Sequence, residues 1–569
     1  MKAIKNIMIA LSGIALLASC DMDKFFELDR PESNPWLSVD DLEYSVADPY
    51  NNLFQNPNWQ APIGIIPYYQ ELVADLSTVN PQGAYEQEAL YWYPRQMSTF
   101  DVTGQQFEKT FSILYRSVTG ATSPLTYIEE KEKKGEPVFA NMTENDKKTL
   151  ARQTGELYFM RGYTYWLISR AFVAPYDPAG GEGNNRKFIP LINRLDYSQE
   201  SARNPYMGTV KEVYDQMLSD FAKAKSLMPE DYFVRGRANK FSAAMMLMRV
   251  KWLMGDKDGA LEEADYVITK AEAGVAPFDL TEEPIVAFNR NAEQQYTVDP
   301  VSKEVMFECA FTESNQGNNV AIPLARMCKT GIYNFKSKTF DASNKLWLEG
   351  ARGSQNWQHG GWACAYWNPR LIKYIGWAVT DDPMDLTNYV PSAEALADKR
   401  FTQLHYFLKN YTDGGDKTIH EMAYNKTKWN AFWNDKYYRA PYGKYSQVPL
   451  IRLAEAYLTR ATLVLSKNAS QALGDVNKIR AGLTPLKNVT EADIEKERIK
   501  EFGFENGDRL LYLVAMQKTI DGQKRNPGAV YDNPNTDGDP IPAMNPPYST
   551  MYVPLPSIEY LYSGSYQQP

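Results

Sequence analysis

The stretch "FSAAMMLMRVKWLMGDKDGALEEADYVITKA", residues 241–271, constrains the fold more than any other part of the chain. It reads as one helix, a tight turn at Gly255-Asp256 and a second helix. The first helix is apolar nearly all round and so belongs at the centre of the molecule. The second is one-sided, with Ala260, Ala264, Ile268 and Ala271 on its inward face. Small alanines at facing positions let two helices approach closely, the packing logic of tetratricopeptide hairpins. A hairpin of this kind buries its remaining face only against neighbours of the same kind.

Such neighbours are present. "TVKEVYDQMLSDFAKAKSLMP" opens with a capping box, Thr209 and Glu212, which satisfies two free amides at the helix start. Val210, Val213, Tyr214, Met217, Leu218, Phe221, Ala224 and Leu227 then form a stripe at helical spacing, and Pro229 closes it. "ARQTGELYFMRGYTYWLISRAF" is a further long helix, rich in aromatics. In "PLIRLAEAYLTRATLVLSKNASQALGDVNKIRAG" one helix is expected to carry Leu450, Leu453, Ala454, Tyr457, Leu458, Ala461 and Leu465 on one side. Ser470 is expected to cap the next helix and Gly482 to end it.

The fold class is therefore mainly α: about four tetratricopeptide-like hairpins form a scaffold, with a large loop-rich insertion. A chain of 569 residues would ordinarily divide into three or four domains, yet no long Ser/Gly or Pro linker separates any. Between about 276 and 444 short apolar runs alternate with Asn, Gly, Pro and Trp, as in loops and short strands. The last fifty residues hold nine prolines and read as irregular coil draped on the helices. The expected division is a signal peptide at 1–19, a tether at 20–40, helical regions at 41–275 and 445–569, and a Trp-rich insert at 276–444.

The amino terminus combines Lys2 and Lys5 with an apolar run from Ile7 to Ser19, the architecture of a secretory signal. The run is too short to span a bilayer, which needs about 20 apolar residues. Leu17-Ala18-Ser19-Cys20 resembles the bacterial lipobox, in which the cysteine becomes the lipidated first residue of the mature chain. The formal net charge is −9, and removal of the signal with its two lysines makes it more acidic still. With no Lys/Arg cluster, this argues against nucleic acid as a partner. Cys309, Cys328 and Cys364 are odd in number and lack CxxC spacing, which indicates neither a disulfide framework nor zinc. His359, His405 and His420 are scattered, and "HEMAY" has Tyr424 where a zinc protease needs its second histidine. "DNPNTDGDP" fails the EF-hand pattern because Met544 stands where the bidentate glutamate belongs. No cofactor or metal is expected.

Five segments in order are similar to the SusD/RagB family. "GELYFMRGYTYWLISRAF" resembles its early helix, with Arg161 at the family arginine. "GRANKFSAAMMLMRVKWLMGD" resembles the Gly-Arg-x-x-Lys entry at Gly236, Arg237 and Lys240. "VPLIRLAEAYLTRA" matches through Arg452, Ala454 and Glu455. "ERIKEFGFENGDRLLYL" matches through Glu497, Arg498, Glu501, Phe502, Glu505 and Arg509, and "VPLPSIE" resembles the Pro-x-Pro-x-x-Glu tail. Asn506 is an extra residue relative to the family pattern, and "LYLVAM" replaces Asp-Leu-x-Arg-Trp. The resemblance implies an outer-membrane lipoprotein, not an enzyme. It would capture oligosaccharide at the cell surface, anchored in lipid through Cys20, and deliver it to a SusC-like TonB-dependent barrel. The "DMD" after Cys20 resembles the surface-export signal of Bacteroidetes lipoproteins. Arg161, Arg452, Glu455, Glu497, Arg498 and Arg509 could be misread as acid–base pairs. Charges on packed helices are more often fixed ion pairs joining parts of a scaffold.

Ligand contacts are expected elsewhere. Seven of the twelve tryptophans fall between Trp347 and Trp433. Trp357, Trp362 and Trp367 are spaced by five, which fits neither a helix face nor a strand face. Loop tryptophans beside Asn368 and Arg370 suit a sugar, whose C–H faces lie on indole while its hydroxyls need amide and guanidinium partners. A second cluster supplies Tyr85, Trp92 and Arg95. The resemblance implies that these two segments meet at one binding face. Two other classes compete: a surface glycosidase with a carboxylate pair, and a helical-repeat scaffold that binds another protein.

Overall fold

The computed structural model describes residues 36–54, 61–79, 105–196, 198–288, 302–309, 324, 333–334, 339–340, 365–379, 390–411, 429–437, 448–480, 482–522 and 543–556. Eleven of its longer helices are labelled here in chain order. The amino-terminal set is α1 (Val39–Phe54), α2 (Pro62–Val73), α3 (Gln105–Lys134), α4 (Glu144–Phe172) and α5 (Val210–Leu227). Next come α6 (Lys240–Leu253), α7 (Lys257–Glu272), α8 (Leu453–Val464), α9 (Ala469–Ile479), α10 (Glu491–Phe502) and α11 (Asp508–Ala515).

Local chemistry starts these helices where the chain turns. Thr143 with Asp146 and Thr209 with Glu212 form capping boxes at α4 and α5, and Asn239 with Ser242 does the same at α6. Asp256 caps α7 after Gly255, whose φ of 84° suits a residue without a side chain. The helices then pack in succession, α3 on α4, α4 on α5, α5 on α6, α6 on α7, α7 on α8 and α8 on α9. This is the stacked-hairpin scaffold expected of the pattern, and α6 is buried on nearly every side at its centre. Gly162 of α4 sits against α5, where a Cβ would fall 3.0 Å from Phe221 and 3.2 Å from Asp220.

Two details differ from the pattern-based expectation. Residues Val448–Arg452 form a strand, not the first turn of α8, so Leu450 belongs to a β-ribbon with Val305–Cys309. The run "VPLI" is apolar on consecutive positions, which fits a buried strand as well as a helix start. α9 is capped by Asn468, with Ser470 inside the helix, and it ends at Ile479, before Gly482.

The strands that matter for the site are β1 (Ser77–Val79), β2 (Val305–Cys309), β3 (Ala365–Trp367), β4 (His405–Tyr411), β5 (Trp429–Asn434) and β6 (Val448–Arg452). They pair antiparallel as β1–β3, β2–β6 and β4–β5. The described tail residues 543–550 and 551–556 carry no helix and lie on the scaffold. Val553 N donates to Ala171 O, and the Tyr548 hydroxyl donates to the carbonyls of Leu513 and Lys518. No helix among the described residues is long and apolar enough to cross a membrane.

Candidate functional site

The site is built on the shortest ladder in this set. In the β1–β3 pair Ser77 lies opposite Trp367, Thr78 opposite Tyr366 and Val79 opposite Ala365. The chain therefore leaves β1 at the same end of the ladder at which it enters β3. The stretch after Val79 carries Tyr85, Trp92 and Arg95, and the stretch before Ala365 carries Trp357 and Trp362. These five residues, like Cys20, lie outside the described residues.

The base of this ladder is held rigidly. Trp367 is completely buried, with its ring 5.1 Å from Phe504, 5.4 Å from His405 and 5.7 Å from Trp377. It is a core residue under the ladder and no stacking platform for a sugar, which corrects the expectation drawn from its spacing. Beyond the nearby Trp377 the ring is closed by His405 and Phe504 from distant segments, so the local pattern carries no sign of full burial. Gly503 makes room for it, because a Cβ there would fall 2.3 Å from the indole. Asn368 is also structural. Its Oδ1 accepts from Arg370 N and caps the short helix Pro369–Tyr374, while its Nδ2 donates to Asp75 O at 2.8 Å. Arg370 is partly exposed at the start of that helix.

Asp75 links the ladder to the scaffold. Arg509 donates to both carboxylate oxygens of Asp75, at 2.6 and 2.7 Å, and to Glu495 at 2.7 Å. The bidentate geometry fixes the angle as well as the distance. The turn carrying Arg509 also seats on α2: Gly507 N donates to Glu71, and a side chain at Gly507 would collide with Gln70. Burial pushes the Glu71 carboxyl well above its ordinary range.

The remaining motif residues form buried ion pairs. Arg161 grips Asp220 at 2.7 and 2.9 Å across α4 and α5. Glu455 receives Arg249 at 2.6 and 2.8 Å, and Arg498 donates to Asp508 at 2.5 and 2.8 Å. Glu497 receives Arg400 at 2.6 Å and Arg480. Arg452 is the centre of the set. Its Nη1 donates to Glu304 at 2.5 Å and Glu501 at 2.7 Å, and its Nε donates to Glu505 at 2.6 Å. Lys436 adds a second cation at 3.1 Å from Glu505. Burial opposes the charge on Glu505, but Arg452 and Lys436 outweigh it and hold the carboxyl below its usual value. Glu304 goes the other way: burial pushes it up to about 7 against the pull of Arg452.

Glu304 and Glu501 edge a cleft of about 290 Å³. Both accept from the same guanidinium nitrogen, so they face each other across that nitrogen and not across a sugar ring. Glycoside cleavage needs two carboxyl groups that flank a scissile bond. The sequence offers no signal for Asp75, Glu304, Arg400 or Lys436. Each meets an ion-pair partner over a separation of 69 to 434 residues, and none sits in a recognisable motif.

A SusD-like family described as "Starch-binding associating with outer membrane" matches residues 46–251. The SusD-like protein P2 of Formosa agariphila is 25% identical over 373 residues, which cover 63% of this chain and 62% of that relative's length. A solved SusD superfamily protein from Bacteroides thetaiotaomicron shares the fold with a TM-score of 0.66 at 17% identity, covering 94% of this chain and 99% of that one. Surface glycan-binding protein A from Bacteroides uniformis does so with a TM-score of 0.60 at 16% identity, covering 93% and 99%. Residues 46–251 are thus similar to the SusD-like family, and the stacked-hairpin fold of the chain is shared with solved SusD superfamily proteins.

Proposed function

We propose that this chain is a nutrient-binding lipoprotein of the outer membrane. Acylated at Cys20 after removal of residues 1–19, it captures oligosaccharide at the cell surface and passes it to a SusC-like TonB-dependent barrel. Trp92, Trp357 and Trp362 supply the stacking faces, while Tyr85, Arg95 and Arg370 address hydroxyls. Residues 276–444 present the ligand-facing insert between two helical regions. The protein binds and does not cleave. A shallow aromatic site with micromolar to millimolar affinity contributes about 4 to 8 kcal/mol, weak enough for cargo to leave again.

One observation carries this reading. The chain leaves β1 after Val79 and enters β3 at Ala365 at the same end of one ladder, which Arg509 and Asp75 tie to the scaffold, and this supports a shared binding face for the sequence segments on either side. The family description names starch binding and the outer membrane, and one structural neighbour is named for glycan binding.

A glycan-array screen of the soluble form lacking Met1 to Cys20 tests it, followed by titration of the best ligand. Alanine at Trp92, Trp357 and Trp362 should weaken binding at least tenfold with unchanged far-ultraviolet circular dichroism. Unchanged titrations for all three variants would refute the assignment. Release of shorter sugars from a labelled oligosaccharide would favour a hydrolase instead.

A further inference from the structure

A groove of about 790 Å³ runs along α1, on elements separate from the β1–β3 ladder. One wall is a single helix face on which Asp40, Tyr44, Ala47, Asn51 and Phe54 recur at spacings of three and four. The other wall is the turn Arg235-Gly236-Arg237. Its volume lies within the range of about 300 to 1,000 Å³ typical of small-molecule sites.

Three features give the groove a ligand chemistry. Tyr44 is 84% exposed at its edge, an unusual position for a large ring on a helix otherwise packed into the core. The polar groups around it are planar and of both kinds, with carboxylates and an amide on α1 and guanidinium groups opposite. They are also held in place. Glu43 accepts from Arg152 at 2.8 Å, from Gln153 at 2.7 Å and from Arg237. Arg237 in turn lies 5.1 Å from the ring centre of Tyr50, whose hydroxyl donates to buried Glu156 at 2.8 Å. Arg235 is fixed by Glu308 at 2.5 Å. Rigid support of this kind is what a binding constellation needs. An acyl chain would meet charged groups on both walls, and a polyanion would meet Asp40 and Glu43. A flat polyhydroxylated ring fits both demands, its C–H face on Tyr44 and its hydroxyls on the carboxylate, amide and guanidinium groups.

We propose that the groove between α1 and the Arg235–Arg237 turn is a second oligosaccharide-binding site, with Tyr44 as its stacking face and Asn51 as a hydroxyl partner. It rests on the glycan-binding reading above and adds a separate grip on the same class of cargo. Two weak sites on one body hold a long chain more firmly than either alone when that chain spans both.

The test is isothermal titration of the soluble protein with maltoheptaose, xylohexaose and mannohexaose. Wild type is compared with Tyr44→Ala/Asn51→Ala and with Trp357→Ala/Trp362→Ala. Both groove residues are exposed, so their replacement should leave the fold intact, as circular dichroism would verify. Residual binding in the tryptophan variant should fall at least fivefold when the groove substitutions are added. If the groove substitutions change no isotherm while the tryptophan substitutions abolish binding, the second site is refuted and the first reading stands. If only the groove substitutions abolish binding, the groove is a site and the aromatic stretches are not. Absence of heat with all three probes on wild type would overturn the proposal.

Discussion

Replacing Arg452 by methionine isolates the role of the buried charge centre, because methionine keeps much of the apolar stem while removing the guanidinium, which lies 4.6 Å from the ring centre of Phe502. In the native protein Arg452 bonds three carboxylates, Glu304, Glu501 and Glu505. Without it Glu505 keeps Lys436, and Glu501 keeps Arg400 at 3.8 Å. Glu304 then has no ion-pair partner among the described residues. Removing one partner of a buried pair costs about 3 to 5 kcal/mol, since the charge left behind is desolvated and unpaired. About 4 kcal/mol is expected at pH 8, a thousandfold fall in the folded-to-unfolded ratio. The loss should be smaller at pH 5, because stranded carboxylates can take up protons in the folded variant and so lose their charge. Urea unfolding followed by tryptophan fluorescence at both pH values measures it. A loss below about 1 kcal/mol, or one equal at pH 5 and pH 8, would refute the argument that Arg452 neutralises a buried acidic cluster.

Two further outcomes follow from the same packing. Glu304 has a folded pKa near 7 against 4.5 for the free group, so its contribution to stability is greatest below about pH 4.5 and is lost as pH rises through 7. Glu304→Gln should remove this slope and gain on wild type by up to about 3 kcal/mol between pH 4.5 and pH 8; an opposite trend in parallel urea titrations would contradict the assignment. Trp367→Ala should cost about 3 to 5 kcal/mol by emptying a packed site, and Gly503→Ala about 1 to 3 kcal/mol by driving a methyl into the indole. Combined, they should cost less than the sum, because the alanine at 367 removes the ring that the new methyl strikes; strict additivity would mean that the two residues do not touch.

The helical scaffold was legible because helix formation is decided locally. Capping boxes at Thr209 and stripes such as Val210 to Leu227 are written within a few turns of chain, and α5 starts and stops where they say. The motif arginines pointed to buried pairing because a buried guanidinium needs an anion. The identity of that anion was not legible for Arg509 or Arg452. Asp75 lies 434 residues from Arg509, and Glu304 lies 148 from Arg452, separations at which no sequence pattern survives. The strand Val448–Arg452 also escaped, because a short apolar run before a helix pattern takes its conformation from the partner strand Val305–Cys309.

The amino-acid order thus determined what each stretch does with its own neighbours: helix, turn, cap and the number of charges to be paired. Only tertiary structure decided which distant groups meet, and Trp367 shows the consequence. Its loop-like spacing and its polar neighbours suggested a surface ring, yet Phe504, Trp377 and the bare backbone of Gly503 enclose it completely. Burial is a property of the surroundings, and Gly503 and Phe504, which close them, come from a chain segment more than a hundred residues away.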